Sequence, residues 1–250
     1  MSTPEPTLYV LTGSHPCAAV EAAMKLKSIS YRRVDLLPLS QLAVGPLRYG
    51  GFTVPGMRFA GERIVGSRAI MRRLDAMQPE PPLLPAPGEP TYAQVLEAER
   101  WGDETFQPVA RRILDVAFLH DPAAMESYAS GAALMLPRPL LRAALPLTAR
   151  LLAARNRARD AAARADLAAL PAQLERIDRW VGEGLLGAEQ ANAADLQIGS
   201  TLRLLMSIGD VRPLIEAHPA ARLVDYFPAM KSHVPAGALP AGWLSAPATA

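Results

Sequence analysis

The chain has 250 residues, half of them hydrophobic, enough for one large domain or two small ones, and this excludes intrinsic disorder as its main state. Its 26 Lys+Arg against 24 Asp+Glu leave a formal net charge of +2, so the chain as a whole has no basic field to hold nucleic acid or an anionic membrane. The single cysteine, Cys17, excludes an internal disulfide and a cysteine-based structural zinc site, and it suits a reducing, cytoplasmic compartment. The start MSTPEPTLYV has no basic or apolar leader region, and no uninterrupted apolar run reaches the roughly eighteen residues of a membrane span. Lysine occurs only at Lys25, Lys27 and Lys231 amid abundant Ala and Pro, the composition of a GC-rich genome.

The clearest boundary is Pro79 to Pro90, PEPPLLPAPGEP, with six prolines in twelve residues, where neither helix nor paired strand continues. It separates a short mixed segment (1–78) from a long helical one (91–232), with a Pro/Gly/Ala-rich tail (233–250) whose large anchor is Trp243. In the first segment, Leu8 to Leu11 reads as a buried strand ending in the turn Thr12-Gly13-Ser14. Pro16 then opens a helix that stops near Ser28 to Ser30. Tyr31 to Val34 reads as a second, parallel strand, as a right-handed βαβ unit requires. Thr53 to Phe59 and Arg63 to Val65 flank the hairpin signal Ala60-Gly61-Glu62, and Ser67 opens a helix with Ile70, Leu74 and Met77 on one face.

Beyond the boundary, Trp101, Thr105, Val109, Ile113 and Val116 fall at helical spacing, as do Leu167, Leu170, Leu174, Ile177 and Val181. Asn192 caps a third helix, with Asp195 three residues on, and Leu196, Leu202, Leu205 and Met206 line its inner side. Leu136 to Arg164 carries Arg138, Arg142, Arg150, Arg155, Arg157, Arg159 and Arg164 against Asp160 and Asp166. A basic membrane-surface helix is one reading; a solvated helical pair is the one adopted, because Pro139 and Pro146 break such a helix and Arg stems cover apolar surface. The tail is either frayed or laid over a cleft.

The βαβ–ββα order with Ser14-His15-Pro16-Cys17 at its first strand-to-helix turn resembles the thioredoxin fold, where a Cys-x-x-Cys pair occupies that turn; here Ser14 stands in place of the first cysteine. Followed by a proline linker and a helical half, it resembles the soluble glutathione S-transferase family over nearly the whole chain. Thr53-Val54-Pro55 looks like the family's Val-Pro strand start, which implies a cis Pro55 and a Val54 backbone that pairs with the cysteinyl part of the thiol peptide. Gly66-Ser67-Arg68-Ala69-Ile70 looks like the motif that binds the γ-glutamyl end at a helix N-terminus, and Asn192 to Asp195 is similar to the family's capping box.

The resemblance implies an α+β thioredoxin-like domain followed by an all-α bundle, a low-molecular-weight thiol as cosubstrate, no resident cofactor or metal, and a homodimer. A free thiol is only a few per cent thiolate at neutral pH. A hydroxyl hydrogen bond to the anion contributes about 1.5–3 kcal/mol and a helix N-terminus about 0.3–1 kcal/mol, which lowers a bound thiol's pKa by roughly one to three units. Ser14 is the candidate for that hydroxyl, its alternative being a plain helix cap.

Cys17 is the alternative nucleophile, with a pKa lowered by the first turn of the helix; its other reading is buried packing. His15, at the same helix start, reads as neutral and facing solvent, or as a proton acceptor. Tyr9 lies inside the first strand and reads as packing, although some family members use a tyrosine hydroxyl. Trp101, Asp103, Glu104 and Phe106 resemble the stretch that faces the cleft between domains, against core for Trp101 and a solvated face for the acids. His120, His218 and His233 are too dispersed for a metal set.

Three departures bear on the thiol. Gly66 stands where the family has an acid or amide, Arg68 offers a carboxylate contact in its place, and in Leu36 to Gly51 only Gln41 and Arg48 are candidates for the glycyl end. Glutathione is the family default, with mycothiol or ergothioneine as alternatives. The functional readings are a thiol transferase acting on a hydrophobic electrophile, a noncatalytic binding protein on the same scaffold, and a different chemistry such as isomerisation, dehalogenation or Cys17-based reduction.

Overall fold

The computed structural model describes residues 5–129 and 137–244. Four strands, β1 (Thr7–Val10), β2 (Arg32–Asp35), β3 (Gly56–Phe59) and β4 (Glu62–Val65), form one sheet in the order β2-β1-β3-β4. β1 and β2 are parallel, with Leu8 opposite Arg33, and are joined by the crossover helix α1 (His15–Leu26). β3 and β4 run antiparallel, and their turn places Ala60 at φ 48° and Gly61 at φ 87°, the left-handed pair that tight hairpins need. α3 (Ser67–Met77) buries Ser67, Ile70, Met71 and Leu74 on one face.

Strand β3 starts at Gly56 rather than Thr53, because Pro55 has no N–H to donate to the ladder. The stretch 36–51 holds a helix that its Leu/Gly/Pro composition hid: α2 (Gln41–Arg48), with Pro46 inside it. Its neighbour Tyr49 is fully buried, and its ring lies 5.1 Å from that of Tyr9.

The helical half begins with α4 (Tyr92–Trp101), passes through a π-helical turn at Gly102–Phe106 and continues as α5 (Gln107–His120). That wider turn shifts the inner face by one position. Thr105, expected inside, is exposed, and Phe106 is buried with its ring stacked 5.2 Å from that of Trp101. A 3-10 segment at Pro122–Tyr128 precedes α6 (Arg138–Asn156), which is a single helix and not a broken pair. Pro139 sits in its first turn, where the missing N–H has no partner to lose, and the helix carries through Pro146. α7 (Asp160–Gly182) buries the predicted row Leu167, Leu170, Leu174, Ile177 and Val181.

α8 (Ala193–Met206) begins with the predicted capping box. Asn192 Oδ1 accepts from Ala194 N–H and Asp195 N–H, while the Asp195 carboxylate accepts from Asn192 N–H at 2.9 Å and from Gly187 N–H at 2.7 Å. The short α9 (Arg212–Glu216) and a 3-10 segment at Pro219–Tyr226 follow. The tail is laid down as far as residue 244: Val234 pairs with Ile208, Asp210 accepts from the N–H groups of Gly237 and Leu239, and the Trp243 ring meets His120 edge-on.

Among the described residues there are two hydrophobic cores. One fills the helical half; the other lies on the sheet and is completed by residues far along the chain, namely Leu83 of the proline-rich segment and Ala191, Ala193, Leu196 and Phe227. α1 packs along α8, which fixes the β1–α1 turn against the helical half.

Candidate functional site

Strand directions gather the singled-out loops at one end of the sheet. β1 runs out at Val10 toward the turn, Gly56 at the start of β3 lies opposite Tyr9, and Val65 at the end of β4 lies opposite Gly56. Ser14, the cis Val54–Pro55 bond and Gly66-Ser67 at the start of α3 therefore share that end, and Pro55 C=O accepts the Gly66 N–H at 2.9 Å.

Ser14 is the N-cap residue of α1, with φ −76° and ψ 113°, and its N–H is bonded to Leu11 C=O at 3.1 Å. Its hydroxyl makes no capping bond to the helix, so it is free of the duty a serine here would ordinarily perform. It sits instead beside Cys17. That thiol is buried, and burial pushes it up to about 12, with hydrogen bonds from the Ser14 side chain and the Leu11 backbone pulling the other way. The lowered pKa expected of a cysteine in a first helical turn is thus overturned: the side chain points into the sheet core, where desolvation outweighs the helix N-terminus.

His15 does not face solvent as expected. It is 4 % exposed, its Nδ1 has no hydrogen-bond partner, and burial followed by the nearby Arg111 cation holds it well below the usual imidazole range, so it is neutral. Arg111 on α5 is itself largely buried, bonded to Gln107 Oε1 at 3.3 Å and placed near Asp103 and Asp115. Asp115 accepts from Asn156 Nδ2 at 2.7 Å, and burial raises it to about 6. Thr12-Gly13 passes close to Tyr128: Gly13 has φ 78°, and a Cβ there would lie 2.9 Å from the Tyr128 ring.

The stretch 101–106 divides at the π turn. Trp101 and Phe106 turn into the helical core, where Trp101 meets Trp180 edge-on and Arg176 lies over both indoles. Asp103 and Glu104 turn toward α3. Arg68, expected to offer its charge to a thiol's carboxylate, is taken up by the protein's own acids: Nη1 is 3.1 Å from Glu104 and 3.9 Å from Asp103, and Nε is 3.6 Å from buried Glu99. Glu99 is also held by both terminal nitrogens of Arg72. Asp103 is raised by burial against the pull of Arg68, and it accepts from Gln197 Nε2 at 3.2 Å.

Gly66 has φ 91° and ψ 146° with open space around a hypothetical Cβ, so backbone conformation, not crowding, suits glycine there. Gln41 is buried at the start of α2 with an unpartnered Oε1, and Arg48 is exposed at the other end. No group of three or more metal-ligating side chains occurs among the described residues.

A cavity of about 140 Å³ opens at Ser14 on the side of α1 that faces α8. Its wall mixes Leu204 and Met230 with Thr12, Glu21, Arg33, Ser200 and Arg203. Arg33 Nε is 2.8 Å from Glu21, and Arg203 donates to Pro228 C=O while burial lowers its pKa. None of Arg33, Ser200, Arg203, Arg111 or Tyr128 was singled out from sequence. They come from four different elements, and only the packing of α1, α5 and α8 brings them to the turn.

No protein-family model and no curated protein sequence matches the chain. Solved structures do. A glutathione S-transferase from Rhodospirillum rubrum F11 superposes with a TM-score of 0.58 at 21 % identity, over 88 % of this chain and 85 % of that one. FzlA from C. crescentus gives 0.61 at 17 % identity, over 96 % and 98 %, and poplar glutathione transferase F1 gives 0.59 at 15 %, over 89 % and 90 %. Sheet topology, helical half and these superpositions together show that the chain has the glutathione S-transferase fold.

Proposed function

We propose that the protein belongs to the glutathione S-transferases and joins a low-molecular-weight thiol to an electrophilic carbon, with Ser14 stabilising the thiolate. The observation that carries this reading is the Ser14 hydroxyl: it stands at a helix N-terminus, uncommitted to capping, at the sheet end that also holds cis Val54–Pro55 and Ser67. Val54 offers backbone groups to the cysteinyl part of the thiol and Ser67 the N-terminus of α3 to its carboxylate, with Gln41 the remaining candidate for its far end. The sulfur anion, stabilised by the hydroxyl and by the positive end of α1, forms a C–S bond as the electrophile's leaving group departs with the electron pair. Arg33 and Arg203 beside Leu204 and Met230 suit an electrophile with an apolar body and a polar or anionic end. Glutathione is the first candidate thiol, with mycothiol and ergothioneine next. A homodimer in a cytoplasmic setting completes the proposal, its isologous contact covering the exposed Leu47 and Phe52.

The second reading is a noncatalytic binding protein. Gly66 in place of the acid, and an Arg68 already engaged by Glu104, favour it. Calorimetric titration with the three thiols, on the native protein and on Ser14→Ala, separates the two. Binding of one thiol whose thiolate pKa rises in the variant, together with turnover of a chloronitroaromatic that the variant loses, supports the transferase. Binding without turnover selects the scaffold, and no binding of any of the three removes both thiol-based readings.

A further inference from the structure

The six large apolar side chains exposed among the described residues fall on two segments: Leu42, Leu47 and Phe52 around α2, and Leu140 (63 %), Leu147 (61 %) and Leu151 (47 %) on α6. α6 buries Leu141, Leu145, Ala149 and Ala153, in steps of four, against α5 and the 3-10 segment before it. At about 100° per residue, Leu147 and Leu151 lie within about 20° of Leu140, on the side opposite that buried row. Ala144 and Ala154 extend the same exposed stripe, and Arg150 and Arg155 flank it. A helix apolar on opposite faces is not a solvated helix; its outer face calls for a cover.

Charge narrows what the cover is. Between Glu126 and Asp160 the sequence has six arginines and no acid. Arg138 and Arg142 are paired with Glu126, and Arg155 donates to Phe52 C=O, while Arg150, Arg157 and Arg159 stand exposed. Laying α6 against α6 of a second copy would set arginine rows face to face with no carboxylate on either helix, and laying it against the other exposed apolar segment, 36–52, would meet Arg48 and again no acid. An anionic lipid surface offers what the stripe lacks: acyl chains for the leucines and phosphates for the arginines along its edges.

We infer that α6 docks the protein peripherally on anionic bilayers, lying in the plane of the interface with Leu140, Leu147 and Leu151 at the acyl boundary. The near-neutral balance of the whole chain conceals this local concentration of charge.

Flotation of the full chain with phosphatidylcholine vesicles, with and without about 30 % phosphatidylglycerol, tests it. Binding is expected only with the anionic lipid. It should fall about tenfold or more in the double variant Leu147→Glu/Leu151→Glu, and by a similar factor in Arg150→Glu/Arg157→Glu/Arg159→Glu or on raising the salt to about 0.5 M. The altered side chains are exposed, so unchanged circular dichroism and melting identify a surface effect. Failure to float with anionic vesicles, or floating unaltered by the leucine variant, overturns the proposal. So does sedimentation showing a native dimer that the leucine variant turns into monomers, which would make a second copy the cover. None of these readouts depends on thiol binding or turnover.

Discussion

Lys27 Nζ lies 2.6 Å from Asp75 Oδ1, with the lysine side chain wholly out of solvent. The ammonium also donates to Gln78 C=O and Pro81 C=O, both at 2.7 Å, and Asp75 accepts the N–H of Leu83. One of only three lysines thus ties the end of α1 to the end of α3 and to the proline-rich segment. Lys27→Met would leave two carbonyls and a partly buried carboxylate short of partners, at a cost of about 3 kcal/mol. Urea unfolding reads the loss, and limited proteolysis should show faster cutting within 79–90; an unchanged midpoint and cleavage rate would contradict this account of the pin.

Asp115 predicts a pH dependence of known sign. Its folded pKa of about 6 exceeds that of an exposed carboxyl, so between about pH 4 and pH 6 the folded state holds a proton that the unfolded state has released. Stability therefore falls as pH rises through that window, by up to about 3 kcal/mol from this group. Asp115→Asn should flatten that part of the pH profile relative to the native protein. Parallel profiles for the two would show that the carboxyl ionises normally.

Cys17 should resist thiol reagents in the folded state. With the thiol pushed up to about 12, its thiolate fraction near pH 8 is on the order of 10³ below that of a free cysteine, before burial further limits access. Native and urea-unfolded rates with a disulfide reagent give the comparison. Rapid stoichiometric labelling of the native protein would return Cys17 to consideration as a nucleophile.

Gly66 is expected to tolerate a side chain in space but not in backbone conformation. Gly66→Ala should fold and lose about 1–2 kcal/mol, because a Cβ is strained at φ 91° although nothing lies within 4 Å of it. Gly66→Glu should lose a similar amount, and a gain in glutathione affinity in that variant would show what the missing acid withholds. Equal stability of the alanine variant and the native protein would mean that the turn relaxes.

Much of the fold could be read in the sequence because its signals are local: the turn after β1, the hairpin at Ala60-Gly61, the apolar row of α7 and the Asn192–Asp195 capping box. Failures came where one local rule was outweighed. Pro146 did not end α6, since packing of Leu145 and Ala149 holds the helix on either side of it. The phase of the first long helix slipped at Thr105 because a π turn leaves no sequence mark. Within the candidate site, Ser14, Val54–Pro55 and Ser67 could be singled out from local sequence, and strand directions explain why these loops meet. The burial of His15, the engagement of Arg68 with Glu104 and the approach of Ser200 and Arg203 are tertiary facts, set by α5 and α8 lying over the turn.

The core on the sheet is closed by side chains as distant as Ala193, Leu196 and Phe227. During synthesis the strands, α1 and α3 leave the ribosome long before those residues exist, and until then the face of α1 that packs along α8 has no partner. The nascent N-terminal segment must wait, exposed and incomplete, for most of the chain to be made. Any agent that shields apolar surface on new chains would find its target in that interval, between completion of β4 and emergence of Phe227.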